Sequence, residues 1–239
     1  MEVRLLSYTA NPKEVIYSSA RQCYSKLGAY QIYINTQRIS AEKLKEFISH
    51  LIKRGHLSPL EHVSFTFAVE GVSRVCTHQL VRHRIASYSQ QSQRYVSMDD
   101  FQFVVPAIID RNNEAKTKFL EAVEYIKKVY RELTEILEKD SSLDKEQINQ
   151  DLRFLIPQAS QTKIVITMNV RQLLHFFGER LCLRAQWEIR TLASEMFSLS
   201  KEVLPEVFSS AGPKCKVCGG CPENNETCPL YPAALELGR

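Results

Sequence analysis

Lys163-Ile164-Val165-Ile166-Thr167-Met168-Asn169-Val170-Arg171-Gln172-Leu173-Leu174-His175-Phe176-Phe177-Gly178-Glu179-Arg180 carries two periodicities in one run. Lys163 to Met168 reads as a strand, and roughly Val170 to Leu183 as the helix that follows it. At about 100° per residue, Leu173, Phe176, Phe177, Arg180, Arg184 and Trp187 lie along one stripe, with Leu183 at its edge. Arg180 is thus expected in the middle of an aromatic face. An unpaired buried guanidinium costs several kcal/mol, so Arg180 needs a carboxylate or a polar ligand. Arg171 and His175, spaced i and i+4, share the opposite face, so one helix is expected to serve two pockets.

Outward from this run the chain mixes helix and sheet. Val63, Phe65, Phe67 and Val69 alternate with Ser64, Thr66 and Ala68, which predicts a half-buried strand. Val3 to Tyr8 predicts another strand, and Asn11-Pro12 starts a helix from Pro12 to Tyr24. Ala41 to Lys53 places Leu44, Phe47, Ile48, Leu51 and Ile52 at helical spacing. Val72 to Arg82, Asn113 to Leu137, Lys145 to Phe154 and Gln186 to Val203 read as further helices, and Ile85 to Arg94, rich in Ser and Gln, as an irregular loop or short turn. No Pro/Gly/Ser linker precedes Ser209. The expectation is one α+β domain, residues 1–208, with a short Cys-rich extension, residues 209–239.

The composition is that of an ordinary globular chain. Its 239 residues are 44% hydrophobic and 24% charged, with 8 Gly and 9 Pro, which excludes a collagen, a coiled coil or a disordered segment. Apolar stretches such as Ile164 to Val170 are too short to cross a bilayer, and Met1-Glu2-Val3-Arg4 does not open a signal peptide. A soluble, cytoplasmic protein with no membrane partner is expected.

The net charge of +4 is too small to argue for nucleic acid, but its distribution is uneven. Gly71 to Met98 contains no Asp or Glu yet holds Arg74, Arg82, Arg84, Arg94, His78 and His83. Arg153 to Gly178 is also free of acids and holds Lys163, Arg171 and His175. Between them, Asp110 to Asp151 alternates acids with lysines at helical spacing and reads as a solvated helical surface. Guanidinium groups with no neighbouring carboxylate suit an external anion, and their fork matches phosphate geometry.

Arg82-His83-Arg84-Ile85-Ala86-Ser87-Tyr88-Ser89-Gln90-Gln91-Ser92-Gln93-Arg94-Tyr95 resembles the signature RHRxxSxxxxSxR of the flavin-dependent thymidylate synthases, with every fixed position present. His56 to His62, Arg153-Phe154-Leu155-Ile156-Pro157, Asn169-Val170-Arg171, His175, Arg180 and Ala185-Gln186-Trp187-Glu188 are similar to the family's surrounding segments. The resemblance covers about residues 1–205.

What the resemblance implies is a homotetramer with active sites between subunits, FAD as cofactor, and reductive methylation of dUMP to dTMP. Methylenetetrahydrofolate gives the carbon and NADPH the reducing equivalents. It further implies flavin contacts at Ser58, Arg82, His83, Arg84, Gln90, Asn169, Arg171 and His175. The implied dUMP contacts are Gln79, Arg82, Gln90, Gln91, Ser92, Gln93, Arg94, Arg153 and Arg180. Arg94 and Arg153 are expected at the phosphate, and Arg180 at the uracil edge as the catalytic residue. Ser89 stands where some relatives carry Asn and is left out of the site. No enzyme nucleophile is assigned to Ser87 or Ser92, since no Ser/His/acid arrangement activates either.

Seven cysteines divide into scattered Cys23, Cys76 and Cys182, expected as reduced core thiols, and clustered Cys215, Cys218, Cys221 and Cys228. The cluster lies among Gly and Pro turn residues and can bind Zn or an iron-sulfur cluster, although two separated CxxC knuckles are absent. A disulfide-forming tail and a free-thiol extension remain open. A reading of a different class is a nucleic-acid-binding module with basic stretches and a zinc tail. It predicts a colourless, salt-sensitive binder, against a yellow flavoprotein for the enzyme.

Overall fold

The computed structural model describes residues 1–231, so residues 232–239 of the Cys-rich extension lie outside the described residues. Strands β1 (Glu2–Tyr8), β2 (Ser64–Ser73), β3 (Ser87–Gln90) and β4 (Gln161–Asn169) form one sheet in the order β1-β2-β4-β3. The pairing of β2 with β4 is antiparallel. Val170 N donates to Val63 O at 2.8 Å, Thr66 Oγ1 meets Thr167 Oγ1 at 2.9 Å, and Lys163 Nζ lies 3.7 Å from Glu70. The period-2 pattern of β2 does what it predicts: Phe65, Phe67 and Val69 are buried, while Ser64, Thr66 and Ala68 are half-buried.

The helices are α1 (Pro12–Gln22), α2 (Ala29–Asn35), α3 (Ala41–Lys53), α4 (Arg74–Leu80), α5 (Ala107–Asp110), α6 (Asn113–Leu137), α7 (Lys145–Leu152), α8 (Val170–Arg180), α9 (Trp187–Val203), α10 (Pro205–Phe208) and α11 (Lys214–Cys218). The main ones begin where a side-chain oxygen satisfies a free backbone N–H. Ser40, Ser73, Asn112 and Asn169 cap α3, α4, α6 and α8, and Asp144 with Gln147 forms a capping box on α7. No helix among the described residues is long and apolar enough to cross a membrane. The chain is α+β, as its pattern predicts.

Four local expectations are corrected. The helix expected from Val72 starts at Arg74, because β2 runs on through Gly71 to Ser73, which turns to cap α4. Gly71 permits this with φ +70°, and a Cβ there would stand 3.3 Å from Met1 N. Within the stretch read as a loop, Ser87–Gln90 is a strand. The helix expected to continue to Leu183 ends at Arg180, so Arg184 and Trp187 do not extend its aromatic stripe. Cys23 is exposed, not a core thiol. Helix α2 carries no signal the sequence reading used.

The described residues form two compact units. The first comprises Met1–Glu2, Val69–Arg82 and Ser89–Ile164. It packs Met98, Phe101, Val123, Tyr130, Ile148 and Leu152 into one apolar cluster beneath α6 and α7. The second comprises Val3–Ala68, His83–Tyr88 and the chain from Val165 on. Its core is aromatic: Phe65 meets Phe208 edge-on at 6.0 Å, and Phe177 meets Phe197 at 5.3 Å and Phe208 at 5.7 Å.

Candidate functional site

In the first unit, α4 carries Arg74 and Gln79, Arg82 lies in the turn after it, β3 ends at Gln90, and Gln91, Ser92, Gln93 and Arg94 follow. The Gln90 amide is fixed where it stands, because Nε2 donates to Thr77 Oγ1 at 3.1 Å and to Thr162 Oγ1 at 3.3 Å. Gln91 N donates to Lys163 O at 2.9 Å, and Ser92 Oγ accepts from Arg94 N at 3.2 Å. This network sets the direction in which the segment after β3 presents its side chains. Arg94 forms an ion pair with Glu146 and lies 5.6 Å from the centre of the Tyr95 ring. Its Nε is buried without a hydrogen-bond partner, an unsatisfied donor of the kind an anion would satisfy.

Arg153 opens a 3-10 turn after α7 and is exposed. Its like charge reaches Arg74, whose pKa is held below the ordinary arginine value first by burial and then by Arg153. Two neighbouring guanidinium groups attract an anion more strongly than either alone. Sequence reading missed Arg74 as a site residue. The available signal was its place in the acid-free stretch Gly71 to Met98.

In the second unit, His83 is 6% exposed between exposed Arg82 and Arg84 in the sequence. Its ring meets Phe176 edge-on at 4.9 Å and His175 at 5.8 Å, and its carbonyl accepts from Tyr88 OH at 2.8 Å. Arg180 Nε donates to His83 Nε2 at 3.0 Å. Nε2 must therefore offer a lone pair, which puts the ring proton of neutral His83 on Nδ1. The environment keeps it neutral: burial, then the charge of Arg180, then His175, lower its pKa to about 4. Burial likewise pushes the Tyr88 phenol up to about 12. The polar partner expected for Arg180 is thus an imidazole 97 positions earlier in the chain.

Helix α8 does line two cavities. The larger, of about 970 Å³, is bordered by Arg171, Leu174 and His175 together with Lys45, Lys53 and Lys216. Arg171 is also ion-paired with Glu61, and Asn169 Oδ1 accepts from Gln172 N at 2.8 Å as the helix cap. Ser58 is exposed at the start of a 3-10 turn, Ser58–His62.

The smaller cavity, of about 320 Å³, lies at the C-terminal end of α8. Cys215, Cys221 and Cys228 line it, but Cys218 does not. Cys218 is exposed, and the fourth thiol is Cys182. Burial raises the Cys215 thiol pKa, and Cys182, Cys221 and Cys228 add to that effect from nearby. Of the expected set Cys215, Cys218, Cys221 and Cys228, the cavity thus gathers three, with Cys182 as the further thiol in its lining. Among the described residues, no three His, Cys, Asp or Glu side chains are gathered around one metal-ion position.

Comparison with known proteins gives the family. Residues 4–206 match the family described as thymidylate synthase complementing protein. The chain is 49% identical to a flavin-dependent thymidylate synthase of Clostridium tetani, over 95% of this chain and 93% of the relative. It is also 49% identical to one of Nitratidesulfovibrio vulgaris, over 96% and 95%, and 41% identical to one of Pyrococcus furiosus, over 94% and 91%. The chain belongs to the flavin-dependent thymidylate synthase family, a family of enzymes.

Proposed function

We propose that this enzyme methylates dUMP to dTMP, taking the carbon from methylenetetrahydrofolate and reducing equivalents from NADPH, in a cytoplasmic homotetramer whose active sites lie between subunits. Residues 1–208 form the catalytic domain and residues 209–239 a Cys-rich extension. Exposed apolar side chains near the motif residues in sequence, Ile85 at 69% and Phe154 at 86%, support an assembly that covers them.

The observation that carries the mechanism is Arg180 held by a neutral imidazole. A carboxylate partner would position the guanidinium but cancel its charge. His83 Nε2 positions it through one hydrogen bond and leaves the positive charge for a ligand. At the uracil edge that charge favours ionisation at N3 and activates C5 toward the methylene carbon. Stabilisation that grows as charge develops on the ring accelerates the step itself, not binding alone. Arg94, with its unsatisfied Nε, and Arg153, joined by Arg74, bind the phosphate. Gln79, Arg82, Gln90, Gln91, Ser92 and Gln93 hold the rest of the nucleotide.

The flavin is read as FAD, held by Ser58, Arg82, His83, Arg84, Gln90, Asn169, Arg171 and His175. The donor chemistry fits such a group: Arg171 and His175 share their cavity with three lysines, a cationic setting for a pyrophosphate. When bound, the flavin supplies hydride chemistry. One absorption spectrum tests the cofactor, since oxidised protein-bound flavin absorbs at about 450 nm. Single-turnover dTMP formation with saturating dUMP then tests the reaction. A colourless protein that binds nucleic acid in a salt-sensitive way would favour the binding-module reading instead.

A further inference from the structure

We infer that Cys182, Cys215, Cys221 and Cys228 together ligate an iron-sulfur cluster of the four-iron type at the C-terminal end of α8. Three of these thiols belong to the Cys-rich extension, beyond the residues that match the family, and the fourth sits two positions after Arg180. All four line one cavity of about 320 Å³. Four soft sulfur ligands around one enclosed space suit zinc or an iron-sulfur centre.

Ligand placement separates these two. A single zinc ion needs all four sulfurs about 2.3 Å from one point, and no three such side chains are gathered in that way among the described residues. A cubane cluster takes its thiolates at separate corners of a core several ångström across, so four thiols spread round a cavity match it better. Charge does not separate the two, since four thiolates make either centre an anion; Arg184 and Lys214 border the cavity together with the carboxylates of Glu179 and Glu223. The segment is tied to α8 independently of any cluster: Lys214 pairs with Glu179, and Arg184 Nη1 lies 2.7 Å from Glu223. The site is therefore built around the end of the helix that presents Arg180.

Protein purified anaerobically should contain about four iron and about four acid-labile sulfide per chain. Cys182→Ser should lose both, and Cys218→Ser should keep both. Alkylation of the untreated wild type needs no variant to fold: Cys218 and Cys23 should label, while Cys182, Cys215, Cys221 and Cys228 stay protected until iron is removed. Iron-free wild-type protein, stoichiometric zinc in place of iron, full iron in Cys182→Ser, loss of iron in Cys218→Ser, or rapid labelling of Cys182 in the holoprotein would each overturn the assignment. Should Cys182→Ser prove insoluble, the alkylation pattern decides alone.

Discussion

Arg153 in the first unit and Arg180 in the second carry the same guanidinium into opposite settings. Arg153 is exposed and its charged neighbour is another arginine, Arg74. Arg180 is half-buried beside fully buried Phe176 and Phe177 and is gripped by a neutral histidine. The first arrangement offers raw positive charge to a strong anion and tolerates some play in position. The second fixes one charge in one direction. A phosphate and a uracil ring make those two different demands, and the proposed contacts divide accordingly. Those for dUMP lie in the first unit except for Arg180, and those for the flavin lie in the second except for Arg82 and Gln90.

The sharpest way to break this contrast is Arg180→Lys, which keeps a charge but removes the Nε donor that meets His83. Single-turnover dTMP formation at saturating dUMP should fall by on the order of a hundredfold or more, with normal flavin content. Wild-type methylation at saturation would return Arg180 to a structural role.

Acid should expose the neutral grip next. With a folded pKa of about 4 against an ordinary value of 6.5, His83 takes up a proton in the unfolded chain before it does so in the native one. Nothing is lost above pH 6.5. Stability then falls as pH drops toward 4, by about 3 kcal/mol from this group. His83→Gln keeps an acceptor that does not titrate, so urea midpoints should fall less between pH 7 and pH 4.5 than in the wild type. Equal slopes would show that His83 is protonated in the folded state.

Arg82→Ala or Arg84→Ala should weaken flavin retention by about 1.5 to 3 kcal/mol each. Stoichiometric FAD after dialysis of either variant counts against these contacts. The smallest effect is expected in the first unit. The Arg94–Glu146 pair is partly exposed, with side chains 43% and 38% accessible, so it is a weak competitor for the phosphate. Glu146→Gln should tighten dUMP binding by no more than about 1 kcal/mol, read by titration calorimetry. Weaker binding would mean that Glu146 positions Arg94 for the ligand.

Much of the molecule was legible in local pattern. The alternation from Val63 to Val69 became β2, the Asn11-Pro12 signal became the start of α1, and the apolar spacing from Ala41 to Lys53 became α3. What failed locally failed for lack of periodicity or of a stop signal. The Ser/Gln run that became β3 has no apolar alternation because it is an edge strand whose side chains are exposed or half-buried. The end of α8 at Arg180 is marked by neither Gly nor Pro, so the helical stripe appeared to continue through Arg184 to Trp187.

By itself the sequence determined the family, the α+β class and the residue types of the chemistry, since motifs and periods are properties of short stretches. Tertiary structure alone decided the partners: His83 for Arg180 across 97 positions, Glu146 for Arg94 across 52, Arg74 beside Arg153, and Cys182 in one cavity with Cys215, Cys221 and Cys228. Each of these is a meeting of distant segments. Such meetings depend on how sheet and helices route the chain, and no window of neighbouring residues contains that information.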